Sequence, residues 1–167
     1  MTPGRGAGPH DLHADVAALG FLVGRWAGEG EGSYPTTAAF GYGEELTFSH
    51  IGKPYLAYAQ RSWSLDDGRP LHAETGYWRC VGGERIELVV AHPNGLVEVS
   101  EGRLNGMAIE LSSTHVARTT TAKEVTRLAR DLRVDGDHLT YRVDMAVVGV
   151  ELTQHLLARL QRVSATG

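Results

Sequence analysis

The sequence predicts an all-β fold: a ten-stranded antiparallel up-and-down barrel with a short N-terminal helix. Three observations predict it. From Leu22 almost to the C-terminal end, apolar and polar residues alternate with a period of two, which puts apolar side chains on one face of each strand. Turn signals recur between these runs, at Asp66-Asp67-Gly68, Gly82-Gly83, Pro93-Asn94-Gly95, Asn105-Gly106 and Asp135-Gly136-Asp137. No long helical pattern interrupts the series, so successive strands join as hairpins, and a meander of that length closes rather than leave two bare edges.

The elements follow in order. Leu12, Val16 and Leu19 stand at helical spacing, which predicts a short helix over Asp11 to Leu19. Ten strands are expected over 22–32, 37–50, 55–65, 71–81, 84–92, 96–104, 107–114, 122–134, 138–147 and 152–163. The first is unusual. In Gly24-Arg25-Trp26-Ala27-Gly28-Glu29-Gly30, followed by Gly32, three glycines at a spacing of two share a face with Trp26. A face without side chains lets the strand bend or a neighbour come close, as the tightly curled first strand of a small barrel requires. Parity places the inward faces. Ile86, Leu88 and Val90 alternate and His92 continues their side; Leu139, Tyr141 and Val143 alternate and Met145 continues theirs. Phe40, Tyr42, Leu46 and Phe48 share one face, and His72 shares one with Trp78 and Cys80. Polar and soft side chains thus point into the interior, which favours a ligand cavity over a filled core.

Composition narrows the function. The chain has 167 residues, enough for one domain with a sizeable core, and a net charge of -4 without a basic run, so a nucleic-acid footprint is not expected. Residues 1–10 are expected to be a disordered tail and 11–167 one barrel domain. There is no apolar run fit for a signal peptide or a membrane span, so a cytoplasmic protein is expected. The single cysteine, Cys80, excludes an internal disulfide and a cysteine-based zinc site, and reads as a small buried hydrophobe. Gly-x-Ser-x-Gly and phosphate-loop motifs are absent. Glu44 and Glu45 are adjacent, so in a strand they face opposite ways and cannot form a dyad. Of eight histidines, most read as surface or turn residues, with His50, His115 and His138 next to turns. His155 stands in Leu152-Thr153-Gln154-His155-Leu156-Leu157-Ala158-Arg159-Leu160, where strand parity puts it opposite Leu152, Leu156 and Leu160. A bulge, a helical turn and a plain strand all remain open there, and the residues alone read His155 as a hydrogen-bonded core histidine.

The opening Gly-x-Trp-x-Gly-x-Gly run resembles that of the nitrobindins, heme-binding barrels related to the calycins and similar to fatty-acid-binding proteins. The likeness continues in order through Tyr34-Pro35-Thr36, Gly52-Lys53-Pro54-Tyr55-Leu56, Gln60-Arg61-Ser62-Trp63, Asp67-Gly68-Arg69-Pro70-Leu71-His72, Ala91-His92-Pro93, Thr121-Ala122-Lys123-Glu124-Val125 and Leu152-Thr153-Gln154-His155-Leu156, from about Leu19 to Arg162. The resemblance implies that His155 is the histidine that ligates heme iron. It implies that Leu71, His72, His92 and Met145 line the cavity, the two histidines on the distal side. Thr36 and Lys123 match positions near the heme edge, where a lysine can pair with a propionate; Arg118 is a weaker candidate for that role. With no Cys-x-x-Cys-His run, the group would be heme b, held non-covalently. The implied activity is ferric-heme isomerisation of peroxynitrite to nitrate with reversible binding of nitric oxide, in a monomer or weak homodimer without nucleic-acid or membrane partners. The main alternative is a heme-free carrier of small apolar ligands or lipids; a nitric-oxide sensor and an interaction domain without heme are further alternatives.

Overall fold

Alternating strands joined by tight turns close on themselves. The structure, a computed structural model, describes residues 10–164. Its strands are β1 (Gly24–Tyr34), β2 (Thr37–Ser49), β3 (Leu56–Ser64), β4 (Pro70–Val81), β5 (Arg85–His92), β6 (Leu96–Asn105), β7 (Ala108–Arg118), β8 (Val125–Asp135), β9 (His138–Val147) and β10 (Val150–Val163). Each pairs antiparallel with its neighbours in sequence, and β10 returns to β1 to close the ring. The Gly82-Gly83 hairpin joins β4 to β5 as expected, both glycines having positive φ. No described helix is long and apolar enough to cross a membrane. The tail expected over 1–10 lies, except for His10, outside the described residues; His10 is exposed, in irregular chain.

Several boundaries move. The helix is a 3-10 helix over Ala14–Leu22 rather than Asp11 to Leu19, its first turn capped by the His13 side chain, which accepts from the Asp15 N–H at 3.2 Å. Its buried residues are Val16, Leu19 and Leu22, and a spacing of three suits a helix of three residues per turn. β7 runs on to Arg118, so His115 lies within a strand and not beside a turn, exposed and opposite Val99 of β6. β8 starts at Val125 rather than 122, and β10 at Val150 rather than 152, because Gly149 with φ 81° makes a tight turn after Val148.

The two ends of the barrel differ. At one end the helix lies over the interior, and Leu19, Leu22, Trp26, Phe48, Leu56, Trp78, Ile86, Leu88, Ile109, Leu139 and Leu160 form a dry core. Arg162 fastens the helix there: its guanidinium donates to the Phe21 and Val23 carbonyls at 2.9 and 2.7 Å and lies 4.1 Å over the Trp26 ring. The glycines of β1 act as the spacing suggests. A Cβ on Gly28 would strike the β10 backbone at Arg159, and one on Gly30 or Gly32 would strike the ring of Tyr42 or Phe40, so the aromatic side chains of β2 lie across bare backbone. The other end is open. It is built from the ends of the odd-numbered strands and the starts of the even-numbered ones, and the bulges gather there: in the β1–β2, β3–β4, β6–β7, β8–β9 and β9–β10 ladders. The β7–β8 ladder ends at Ser112↔Ala129 although both strands continue toward the open end, leaving a split seam bridged by side chains, with the Leu128 N–H donating to Ser113 Oγ at 2.9 Å.

Candidate functional site

The open end leads into a cavity of about 650 Å³, within the range of small-molecule and cofactor sites. Near the rim its wall is apolar, from Leu96, Val125, Leu128, Val143, Met145, Val147 and Leu156. Deeper, between that wall and the dry core, lies a belt of polar side chains.

His155 reaches the cavity because β10 bulges. Gln154 pairs with Asp144 and Leu156 with Val143, so His155 is an extra residue, and it and Leu156 both line the cavity although adjacent in sequence. The three conformations left open for this stretch resolve to the bulge. His155 Nδ1 lies 3.0 Å from the Ser33 carbonyl of β1. A carbonyl only accepts, so Nδ1 carries the proton and donates it, leaving Nε2 as the nitrogen with a free lone pair. The Tyr34 ring meets the imidazole edge-on at 5.5 Å between centroids, while the Tyr34 hydroxyl donates to the Met145 carbonyl at 3.2 Å. Strand, bulge and ring contact together fix the orientation of one imidazole.

A second bulge places Leu71 and His72. Ser62 pairs with His72 and Trp63 with Pro70, so Leu71 is the extra residue, and both it and His72 line the cavity. His92 ends β5 on the inward side predicted by parity, its side chain 8 % exposed. Around the closed ring, β4 and β5 stand four and five strands from β10, so His72 and His92 face His155 across the interior. Met145 lies on the cavity wall as parity requires. Lys123 is exposed in the β7–β8 loop at the mouth, not within a strand. Thr36 is exposed in the β1–β2 turn, and it is Thr37 that joins the cavity wall. Arg118 is tied to its own loop, donating to the Ala122 carbonyl at 3.2 Å and lying 3.6 Å from Glu124.

The belt is what sequence reasoning missed. Arg130 of β8 pairs with Glu74 of β4 at 2.9 Å and with Glu98 of β6 at 2.7 Å. Glu74 also accepts from Tyr58 at 2.8 Å, and Glu98 from Ser100 at 2.7 Å. Burial works against both carboxylates, but Arg130 and the neighbouring histidines outweigh it: Glu74 is held well below the usual range and Glu98 is lowered to about 2. Burial likewise works against the charge of Arg130, and Glu74 and Glu98 together hold it on. Glu44 has no such partner. Its Oε2 accepts from Tyr141 at 2.6 Å and from Gln60 at 2.7 Å, and burial raises its carboxyl to about 7. Glu45, on the opposite face as expected, pairs outside with Arg25 and Arg61. The signal was in the parity: Glu44, Glu74, Glu98 and Arg130 each occupy an inward position in an alternating strand.

Cavity and histidine fit a planar, largely apolar cofactor with one open coordination position. The hydrogen-bonded imidazole is suited to ligate a metal, the wall at the rim is apolar, and the exposed Lys123 ammonium at the mouth suits a carboxylate left near solvent.

Comparison with known proteins agrees with this geometry. The chain is 53% identical over 158 residues to a protein named peroxynitrite isomerase 1 from Mycolicibacterium paratuberculosis, covering 92% of this chain and 98% of that one. It is 48% identical over 155 residues to a peroxynitrite isomerase from Nocardia farcinica, covering 90% and 92%. The crystal structure of Rv2717c from M. tuberculosis superposes with a TM-score of 0.87 at 45% identity, covering 92% of this chain and 100% of that one. The family model described as the THAP4-like, heme-binding beta-barrel domain matches residues 15–162, and the chain belongs to that family of heme-binding barrels.

Proposed function

We propose that the chain holds one ferric heme b and isomerises peroxynitrite to nitrate, binding nitric oxide reversibly at the same centre. The observation that carries this reading is the bulged His155, whose Nδ1–H donates to the Ser33 carbonyl and whose Nε2 is left for the cavity. The names of the relatives support the activity. Bound heme would supply a Lewis-acidic iron; the rest is the protein's part. Peroxynitrite and nitrate contain the same atoms and carry the same charge, so the chain supplies neither a co-substrate nor a net proton. His155 would hold the iron through Nε2, and Ser33 keeps its tautomer and ring orientation. Leu96, Val125, Leu128, Val143, Met145 and Leu156 would exclude water from the bound group and from the substrate beside it. His72 and His92 stand on the opposite wall, where a ring N–H can donate to an anionic substrate. Lys123 lies at the mouth for a propionate, with Thr36 in the turn at the same end of the barrel.

A heme-free carrier of apolar ligands would use the same apolar wall but has no need of an oriented imidazole, and the paired variant separates the two. His155→Ala is expected to lose the Soret band of the purified protein and the acceleration of peroxynitrite decay in stopped flow, while far-UV circular dichroism stays that of the barrel. The half-buried ring, held by one hydrogen bond, should cost no more than about 1–3 kcal/mol of stability. A folded variant with wild-type heme affinity and rate would exclude His155 as ligand and put the carrier reading ahead.

A further inference from the structure

The belt opposite His155 contains a second donor set. Glu74 Oε2 lies 3.4 Å from His72 Nε2 and 3.4 Å from His92 Nδ1, and the three ligand atoms lie within 4.8 Å of one another. For metal–ligand bonds of about 2.0–2.2 Å, tetrahedral neighbours stand about 3.4 Å apart. His92 is prepared for the role. Its Nε2 lies 3.3 Å from Glu98 Oε2, and that carboxylate is fixed by Ser100 and Arg130. A proton on Nε2, donated to Glu98, leaves the Nδ1 lone pair facing Glu74, which is the carboxylate–histidine arrangement that orients metal-ligating imidazoles. With its proton on Nδ1, His72 turns the Nε2 lone pair to the same carboxylate, so three ligand atoms lie on one side of the belt within 4.8 Å of one another.

Charge points the same way. Arg130 is shared between Glu74 and Glu98, so two carboxylates meet one guanidinium in a buried space. Nearby, Glu44 Oε1 and Gln60 Oε1 are buried acceptors with no donor among the described residues, and Gln60 sits directly opposite Glu74 in the β3–β4 ladder. The region has an excess of acceptors and negative charge that one more cation would balance.

We propose that His72, Glu74 and His92 form a binding site for one divalent transition-metal ion, of the two-histidine, one-carboxylate type, separate from His155 and across the cavity from it. Two imidazoles and a carboxylate suit zinc(II) or iron(II) and leave coordination positions open toward the cavity. An ion there would take the place of the ring N–H groups of His72 and His92 in meeting an anion, putting positive charge on the wall that faces the apolar site. The site stands whether or not heme is bound at His155.

The competing arrangement fills the same gaps with protons on His72 and His92, and zinc uptake distinguishes the two. In calorimetric titration of the full-length purified chain with Zn²⁺ at neutral pH, one equivalent is expected to bind. His72→Ala and His92→Ala should each weaken binding at least about tenfold, and Glu98→Gln, which removes the orienting carboxylate together with one of the two partners of Arg130, by about 10- to 100-fold. His155→Ala and the surface variant His115→Ala should bind as wild type does. His72 is partly exposed and the Glu74 contact is its one side-chain bond, so its variant keeps the fold. A zinc-edge absorption spectrum of the wild type, which needs no variant, should show two imidazoles in the first shell. Absence of uptake, uptake that survives in His72→Ala and His92→Ala, or a spectrum with fewer than two imidazoles overturns the proposal.

Discussion

Glu44 shows how much a single buried side chain can set. It is 1 % exposed, bonded through one oxygen to Tyr141 and Gln60, and its other oxygen has no donor among the described residues. Burial moves its carboxyl from an ordinary 4.5 to about 7. In the folded chain the neutral form is therefore favoured. Its contribution to stability is complete below pH 4.5, where the unfolded chain is also protonated, and is lost as pH rises to about 7. A shift of that size corresponds to about 3 kcal/mol. Glu74 and Glu98 act in the opposite sense: their lowered carboxyls contribute fully above the ordinary carboxylate range and lose that contribution as pH falls toward 2. Urea unfolding of wild type and Glu44→Gln between pH 4.5 and 7.5 is expected to show wild type losing about 3 kcal/mol more than the variant across that window. Parallel curves would mean that Glu44 is already ionised in the folded protein. A glutamate at an inward strand position was visible in the sequence; that Arg130 pairs with Glu74 and Glu98 and not with Glu44 was not, because that depends on which strands meet across the interior.

At the scale of elements, what could be read from sequence and what could not divide along the barrel axis. Turns marked by glycine at Gly68, Gly82-Gly83, Gly95, Gly106 and Gly136 all fall between strands, each with positive φ, because few other residues reach that conformation without strain. Parity held where ladders are regular, as from Ile86 to His92. It failed at Leu71 and His155, each an extra residue in a bulge, where two neighbours both line the cavity. Bulges leave no compositional mark here, and they gather at the open end, so the site was harder to read than the fold. β1 offers a direct test. Gly30→Val drives a branched side chain into the Tyr42 ring, whose hydroxyl is bonded to Tyr141 at 2.9 Å. A loss of about 1–3 kcal/mol in urea unfolding is expected. Glu31→Val, on the outer face, should stay within about 0.5 kcal/mol of wild type. Equal effects at the two positions would show that space on the inner face is not why glycine stands there.

As a whole the molecule is a vessel with one end built for stability and the other for exchange. Helix, Arg162 clamp and dry core hold the first; apolar rim, bulges and loops form the second. The seam between β7 and β8 decides how the second end works over time. Past Ser112↔Ala129 no rung of backbone hydrogen bonds joins these strands, and they part toward the mouth while each stays laced to its other neighbour. Widening the mouth there breaks a few side-chain bonds, such as Arg127 to Ser112 and Leu128 to Ser113, and no ladder. A flat ligand is therefore expected to pass by a hinge-like parting of two strands, at a rate set apart from the stability of the barrel. Amide hydrogen exchange should record this clasp: the β7-facing amides of 125–128 are expected to exchange faster than those of 129–133 in the same strand, and a ligand that fills the cavity should slow the first group and leave the second unchanged. Uniform protection along β8 would mean that the clasp stays shut, and that whatever occupies the vessel enters through the loops above it.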